Sequence, residues 1–153
     1  MNSIFDPTAE ALAGWLQQRG QPAYRLEQIR QGLYTRRAGS WDEVTSLPKG
    51  LRAELAESFG FWTTRIAAHR RAADGTQKLL LELADQQHIE CVLLPGRARW
   101  SICLSTQVGC AMGCVFCASG MFGVKRNLSS GEILEQVLRL DRLLKGEERI
   151  TNV

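Results

Sequence analysis

The sequence predicts a mixed α/β chain in three successive parts: a helical front, an antiparallel β middle, and the opening βαβ unit of a larger α/β domain. Three observations predict it. Apolar residues recur at helical spacing up to about residue 60. An Asp74-Gly75 pair separates two strand-like segments in the middle of the chain. From Trp100 onward a strand, a cysteine-rich loop, a capped amphipathic helix and a second strand follow one another. The expected boundaries are 1–60, 61–97 and 98–153.

In the first part, Leu12, Trp15 and Leu16 share one face of a helix over 8–19, and Gly20 stops it. A second helix over 25–37 turns Leu26, Ile29, Leu33 and Tyr34 inward. A third follows Pro48, which suits a first-turn position because its missing N–H would be unpaired there, with Leu51, Leu55 and Phe59 on its inner face. In the second part, strands over 63–72 and 76–83 flank the Asp-Gly turn. Asp85-Gln86-Gln87 turns the chain into a third strand over 88–94, and Pro95-Gly96 breaks it. In the third part, a strand over 100–105 leads into the cysteine loop. Ser129 and Glu132 have capping-box spacing. The helix they start, over 130–145, carries Ile133, Val137, Leu140 and Leu144 as a stripe that Leu134 and Leu138 widen. A strand begins at Ile150. The crossover is expected to be right-handed. A lone βαβ unit leaves a sheet edge open, so these residues are expected to be the front of a larger protein.

Composition narrows the class. Hydrophobic residues make up 44% and charged residues 23%, as in ordinary globular proteins. No run approaches the roughly 18 apolar residues of a membrane span, and the first residues lack a signal-peptide pattern. The reading is a cytoplasmic protein with no membrane association. A net charge of +3 is by itself a weak argument for nucleic acid. The cysteines are Cys91, Cys103, Cys110, Cys114 and Cys117, an odd number placed late. They suit a reducing compartment and a metal site better than a disulfide framework.

The run GCAMGCVFC sets Cys110, Cys114 and Cys117 in a C-x3-C-x2-C spacing. Three thiolates can hold three irons of a [4Fe–4S] cubane and leave the fourth open for a substrate or cofactor. That is the arrangement for reductive cleavage of S-adenosylmethionine (SAM), and it points to the radical SAM enzymes. Gly109, Gly113, Gly120 and Gly123 leave the backbone free to curl, and Phe116 is placed to shield a cluster and its cofactor from water. Two other readings stay open. Zinc takes four ligands, and Cys103 or Cys91 could complete such a set. Buried free thiols are the other.

From Arg25 onward the chain resembles the RlmN/Cfr family of radical SAM RNA methyltransferases, and more closely the RlmN type. The resemblance runs through YRLEQIRQGLY, LPKGLRAEL, DGTQKLLLEL, IECVLLP, CLSTQVGCAMGCVFCASG and FGVKRNLSSGEILEQV. The cysteine motif alone indicates the superfamily; the stretch from Cys103 to Val137 indicates the family. The resemblance implies an N-terminal helical domain, a linking β segment and the start of a radical SAM partial (βα) barrel, here truncated. It implies methylation of C2 of an adenine in 23S ribosomal RNA, and in certain transfer RNAs; Cfr-type members act on C8. One SAM would give its methyl to a carrier cysteine and a second would yield the 5′-deoxyadenosyl radical. Flavodoxin or ferredoxin would supply the electron, and the intact enzyme would be a monomer.

Residue by residue, the resemblance makes Cys110, Cys114 and Cys117 the cluster ligands. It makes Glu90 the acceptor of the adenine proton, where a solvent-facing strand residue is the plain alternative. Cys103 matches the cysteine that pairs with the carrier to release product; a small buried residue is the alternative. Cys91 is read as packing. No residue of this sequence matches the carrier cysteine. Arg25, Arg30, Arg36 and Arg37 on the second helix, with Lys125 and Arg126 after the loop, are candidate RNA contacts. A solvated helix face, or anchoring of the loop, would use the same residues. The competing function is an inactive RNA- or metal-binding remnant.

Overall fold

The computed structural model describes residues 2–97, 99–112, 117 and 123–153. Cys114 and Phe116, and with them Gly113 and Gly120, lie outside the described residues. The chain divides into two compact units, Met1–Thr63 and Thr64–Val153.

In the first unit a short β1 (Asn2–Ser3) precedes α1 (Ala9–Gln18), whose first turn is capped by the Thr8 hydroxyl accepting from Ala11 N. The helix expected over 25–37 is two structures. α2 (Tyr24–Arg30) passes into a π-helical turn, Gln31–Thr35. At Gly32 a Cβ would sit 2.6 Å from Val44 Cγ1, so the close approach of that segment depends on glycine. The extra residue per turn carries Tyr34 off the inner stripe, and it is 46% exposed rather than turned inward. Ile29 and Leu33 remain buried. A 3₁₀ turn (Trp41–Glu43) precedes α3 (Lys49–Ser58), which buries Leu51 and Leu55. Phe59, expected on that helix, instead opens β2 (Phe59–Gly60), which pairs in parallel with β1. Phe59 packs edge-on to Trp15 at 5.5 Å, and Trp41 packs edge-on to Phe61 at 5.2 Å.

The second unit is built on one sheet. β3 (Arg65–Arg71), β4 (Gln77–Glu82), β5 (His88–Pro95) and β6 (Trp100–Cys103) run antiparallel to their neighbours. β9 (Ile150–Asn152) joins β6 in parallel. The order β3-β4-β5-β6-β9 makes the middle and third parts of the sequence one sheet. Asp74 supports the β3–β4 turn by accepting from Thr76 N at 2.9 Å, with Gly75 at φ +91°. α4 (Ser130–Asp141) lies between β6 and β9 in sequence, giving the βαβ unit. Its Leu140 joins Leu79, Leu81, Cys91, Leu93 and Ile102 in one core. Each fully buried leucine contributes about 1.5–3 kcal/mol. The run Leu79-Leu80-Leu81 resolves into alternation: Leu79 and Leu81 are buried and Leu80 is turned to the other face.

Candidate functional site

β6 is shorter than expected and ends at Cys103. Beyond it the chain forms a hairpin that the sequence did not announce: β7 (Gln107–Gly109) against β8 (Val124–Asn127). This hairpin carries the cysteine loop. Val108 is buried in the core beneath it, and Gln107 Nε2 donates to Asn127 Oδ1 at 2.7 Å across it. Its neck is closed by two glycines. Gly109 has φ +81° and Gly123 φ +67°, and a Cβ on Gly109 would overlap the Gly123 carbonyl oxygen. That carbonyl accepts from Cys110 N at 3.2 Å.

Cys110 and Cys117 are both partly exposed free thiols. Soft sulfur donors on a glycine-tightened neck suit an iron–sulfur cluster, and suit zinc equally. Among the described residues no three His, Cys, Asp or Glu side chains come together as a metal site; of the expected triad only Cys110 and Cys117 are described.

The two other candidates share a surface. Val92 and Cys103 are directly opposite across β5 and β6, and Glu90 lies two residues from Val92 on the same face. This is the face away from the core. Cys103 is exposed, and the Glu90 carboxylate meets Lys78 Nζ at 2.8 Å. Glu90, Lys78, Arg70, Ala68 and Leu80 line a hollow of about 230 Å³ there. The Ser105 hydroxyl donates to the Glu90 backbone carbonyl at 2.8 Å, so Glu90 stands at the end of the sheet from which the loop departs. Cys91 faces the opposite way. It is fully buried, and burial pushes its thiol up to about 12.

The basic candidates fall in both units. In the first, Arg25 donates to Gln28 Oε1 at 2.7 Å and stacks over Tyr24 at 4.9 Å. Arg30 and Arg36 are exposed; Arg37 is half-buried in a left-handed conformation at φ 55°. In the second unit, Lys125 Nζ donates to Gln87 Oε1 at 2.6 Å. Arg126 donates to Glu132 and to Asp85, which hold its guanidinium well above the ordinary arginine range. Its contacts in turn lower the carboxyls of Glu132 and Asp85.

Sequence reasoning missed two polar residues of α4. Glu135 and Gln136 are fully buried. Glu135 Oε2 accepts from Thr64 N at 2.9 Å and Thr64 Oγ1 at 2.8 Å. Arg139 donates to the same hydroxyl at 2.8 Å and to the Thr64 carbonyl. Burial lowers the Arg139 guanidinium, against the opposing pull of Glu135. Helical spacing gave no sign of these contacts, because the partners lie far away in sequence.

No family model matches the chain. Among curated proteins it is 49% identical over 152 residues to "Probable dual-specificity RNA methyltransferase RlmN" of Rhodopirellula baltica, covering 99% of this chain and 41% of that protein. It is 44% identical to "Dual-specificity RNA methyltransferase RlmN" of Desulfosudis oleivorans, covering 98% of this chain and 40% of that one. Among solved structures it resembles a radical SAM methyltransferase from Sphaerobacter thermophilus, with a TM-score of 0.87 and 40% identity over 94% of this chain and 42% of that one. The chain thus spans about two fifths of the length of the curated relatives it matches.

Proposed function

Since the chain belongs in sequence to the RlmN-type RNA methyltransferases, we propose that it carries the metal loop and part of the catalytic face of a radical SAM enzyme methylating C2 of adenine in 23S ribosomal RNA and in transfer RNA. One observation carries the reading. Glu90 and Cys103, given separate chemical roles by the resemblance, lie on one open sheet face at the end from which the cysteine loop leaves.

In this reading Cys110, Cys114 and Cys117 hold a [4Fe–4S] cluster that, when bound, supplies the electron for reductive cleavage of SAM. Glu90 accepts the proton that the adenine ring loses on methylation. Lys78 Nζ lies 2.8 Å from that carboxylate, and the two side chains line the same hollow. The Cys103 thiol is accessible for exchange with a carrier cysteine. Phe116 shields the cofactor. Arg25, Arg30, Arg36 and Arg37 contact RNA phosphates, and Arg126 anchors the loop. The protein works in a reducing cytoplasmic compartment, as a monomer, with flavodoxin or ferredoxin as electron donor. Among the described residues no helix is long and apolar enough to cross a membrane.

Nucleoside mass spectrometry tests the assignment, on RNA incubated with the reconstituted intact protein, SAM and reductant. The reading requires 2-methyladenosine. 8-Methyladenosine would instead support the Cfr-type alternative, and RNA bound but unmodified would support the inactive one.

A further inference from the structure

We propose that α4 holds both ends of the cysteine loop, with Gln136 and Glu132 as the positioning residues and Ser105 and Arg126 as the groups they grip. That the gripped loop carries a cluster rests on the function proposed above; the grip itself does not.

Glu132 and Gln136 are four residues apart and stand on one face of α4. Gln136 takes the outgoing end of the loop. Its Oε1 accepts from Ser105 N at 2.9 Å, and its Nε2 donates to Ser105 O at 2.9 Å and to Glu132 O at 3.3 Å. A side-chain amide thereby supplies Ser105 with the pair of bonds that a neighbouring strand residue would give. The Ser105 hydroxyl reaches the other way, to the Glu90 carbonyl. The segment between β6 and β7 is thus fixed to both the helix and β5.

Glu132 takes the returning end. Arg126 of β8 donates Nη1 to Glu132 Oε2 at 2.8 Å and Nη2 to Oε1 at 2.7 Å, a forked contact. Arg126 Nε donates to Asp85 Oδ2 at 2.7 Å. Asp85 belongs to the β4–β5 turn, 25 residues before the first loop cysteine, so that turn becomes part of the loop's support. Glu132 Oε2 also accepts from Ser129 N at 2.8 Å, so one carboxylate caps the helix and clamps the hairpin.

A fully buried glutamine costs desolvation that a leucine of similar size would not. Its three bonds offset that cost only while Ser105 stays in place, which ties the position of the segment to this side chain. Metal-binding thiols need placement to within about 0.5 Å, and that precision depends on the shell behind them.

Amide hydrogen exchange on the metal-free chain tests the grip. We compare wild type with Arg126→Met and Gln136→Leu. Both variants are expected to exchange the Cys110 amide, bonded to Gly123 O, at least about tenfold faster, with β4 and β5 as protected as in wild type. Arg126→Lys keeps the charge without the fork and should fall between. Hairpin protection unchanged in both variants would overturn the proposal. So would protection lost throughout β4 and β5 in Arg126→Met, whose side chain is partly exposed, because the contact would then be general to the fold. Anaerobic iron and sulfide loading separates the two readings. Lower loading in the variants than in wild type extends the grip to the cluster. A wild type that takes up only zinc defeats the cluster reading and leaves the exchange result to judge the grip.

Discussion

Cys91 and Cys103 are neighbours on adjacent strands that face opposite ways, and their chemistry should divide accordingly. Iodoacetamide on the native chain should label Cys103 and leave Cys91 unmodified until the protein is denatured, read by peptide mass spectrometry. Cys91 is buried with its thiol near 12, whereas Cys103 is exposed. Cys91→Ser should destabilise the second unit by about 1–3 kcal/mol, because it buries a hydroxyl where a thiol packs. At the neck, Gly109→Ala meets both a left-handed φ and the Gly123 carbonyl. A loss of about 1–3 kcal/mol or more is expected in urea unfolding. The sequence marked Gly109 as a loop glycine. The positive φ and the carbonyl behind it become visible only once β8 returns to pair with β7.

α4 shows which contacts an isolated sequence can reveal. The capping box was legible because Ser129 and Glu132 are three residues apart and answer each other locally. The roles of Gln136 and Glu135 were not, since their partners lie 31 and 71 residues away. Periodicity likewise placed Leu140 inside, and Leu140→Ala should cost about 2–5 kcal/mol. The π-helical turn after α2 was hidden for a similar reason: the contact at Gly32 is made with Val44, beyond the helix. The carboxyls around Arg126 predict a pH dependence. Asp85 and Glu132 are lowered from ordinary values of 3.8 and 4.5, chiefly by hydrogen bonds from Arg126. Their contribution to hairpin docking is therefore complete above those values and lost as pH falls through the lowered ones. Amide exchange followed down through that range should show the hairpin opening in wild type, and a flatter response in Arg126→Met.

At the scale of the molecule, the succession of helices, antiparallel strands and βαβ unit could be read from spacing and turn residues. The continuity of β3 to β6 and β9 in one sheet could not, because strand pairing is a long-range property that period-2 patterns leave open. The cysteine motif could be read from its spacing alone, whereas the face that Glu90 and Cys103 share required the strand register. If the first unit binds RNA as proposed, replacing Arg30 and Arg36 by Gln should weaken binding across sequences and lower the salt slope by about 1–2. The proposed function requires Cys110, Cys114 and Cys117 to hold a cluster with one open iron. It is tested most directly by low-temperature electron paramagnetic resonance of the anaerobically reconstituted, reduced chain, recorded before and after SAM is added. A cluster signal that shifts on addition of SAM is the predicted result. A zinc-loaded chain without such a signal, or a cluster signal indifferent to SAM, would overturn the assignment of these cysteines.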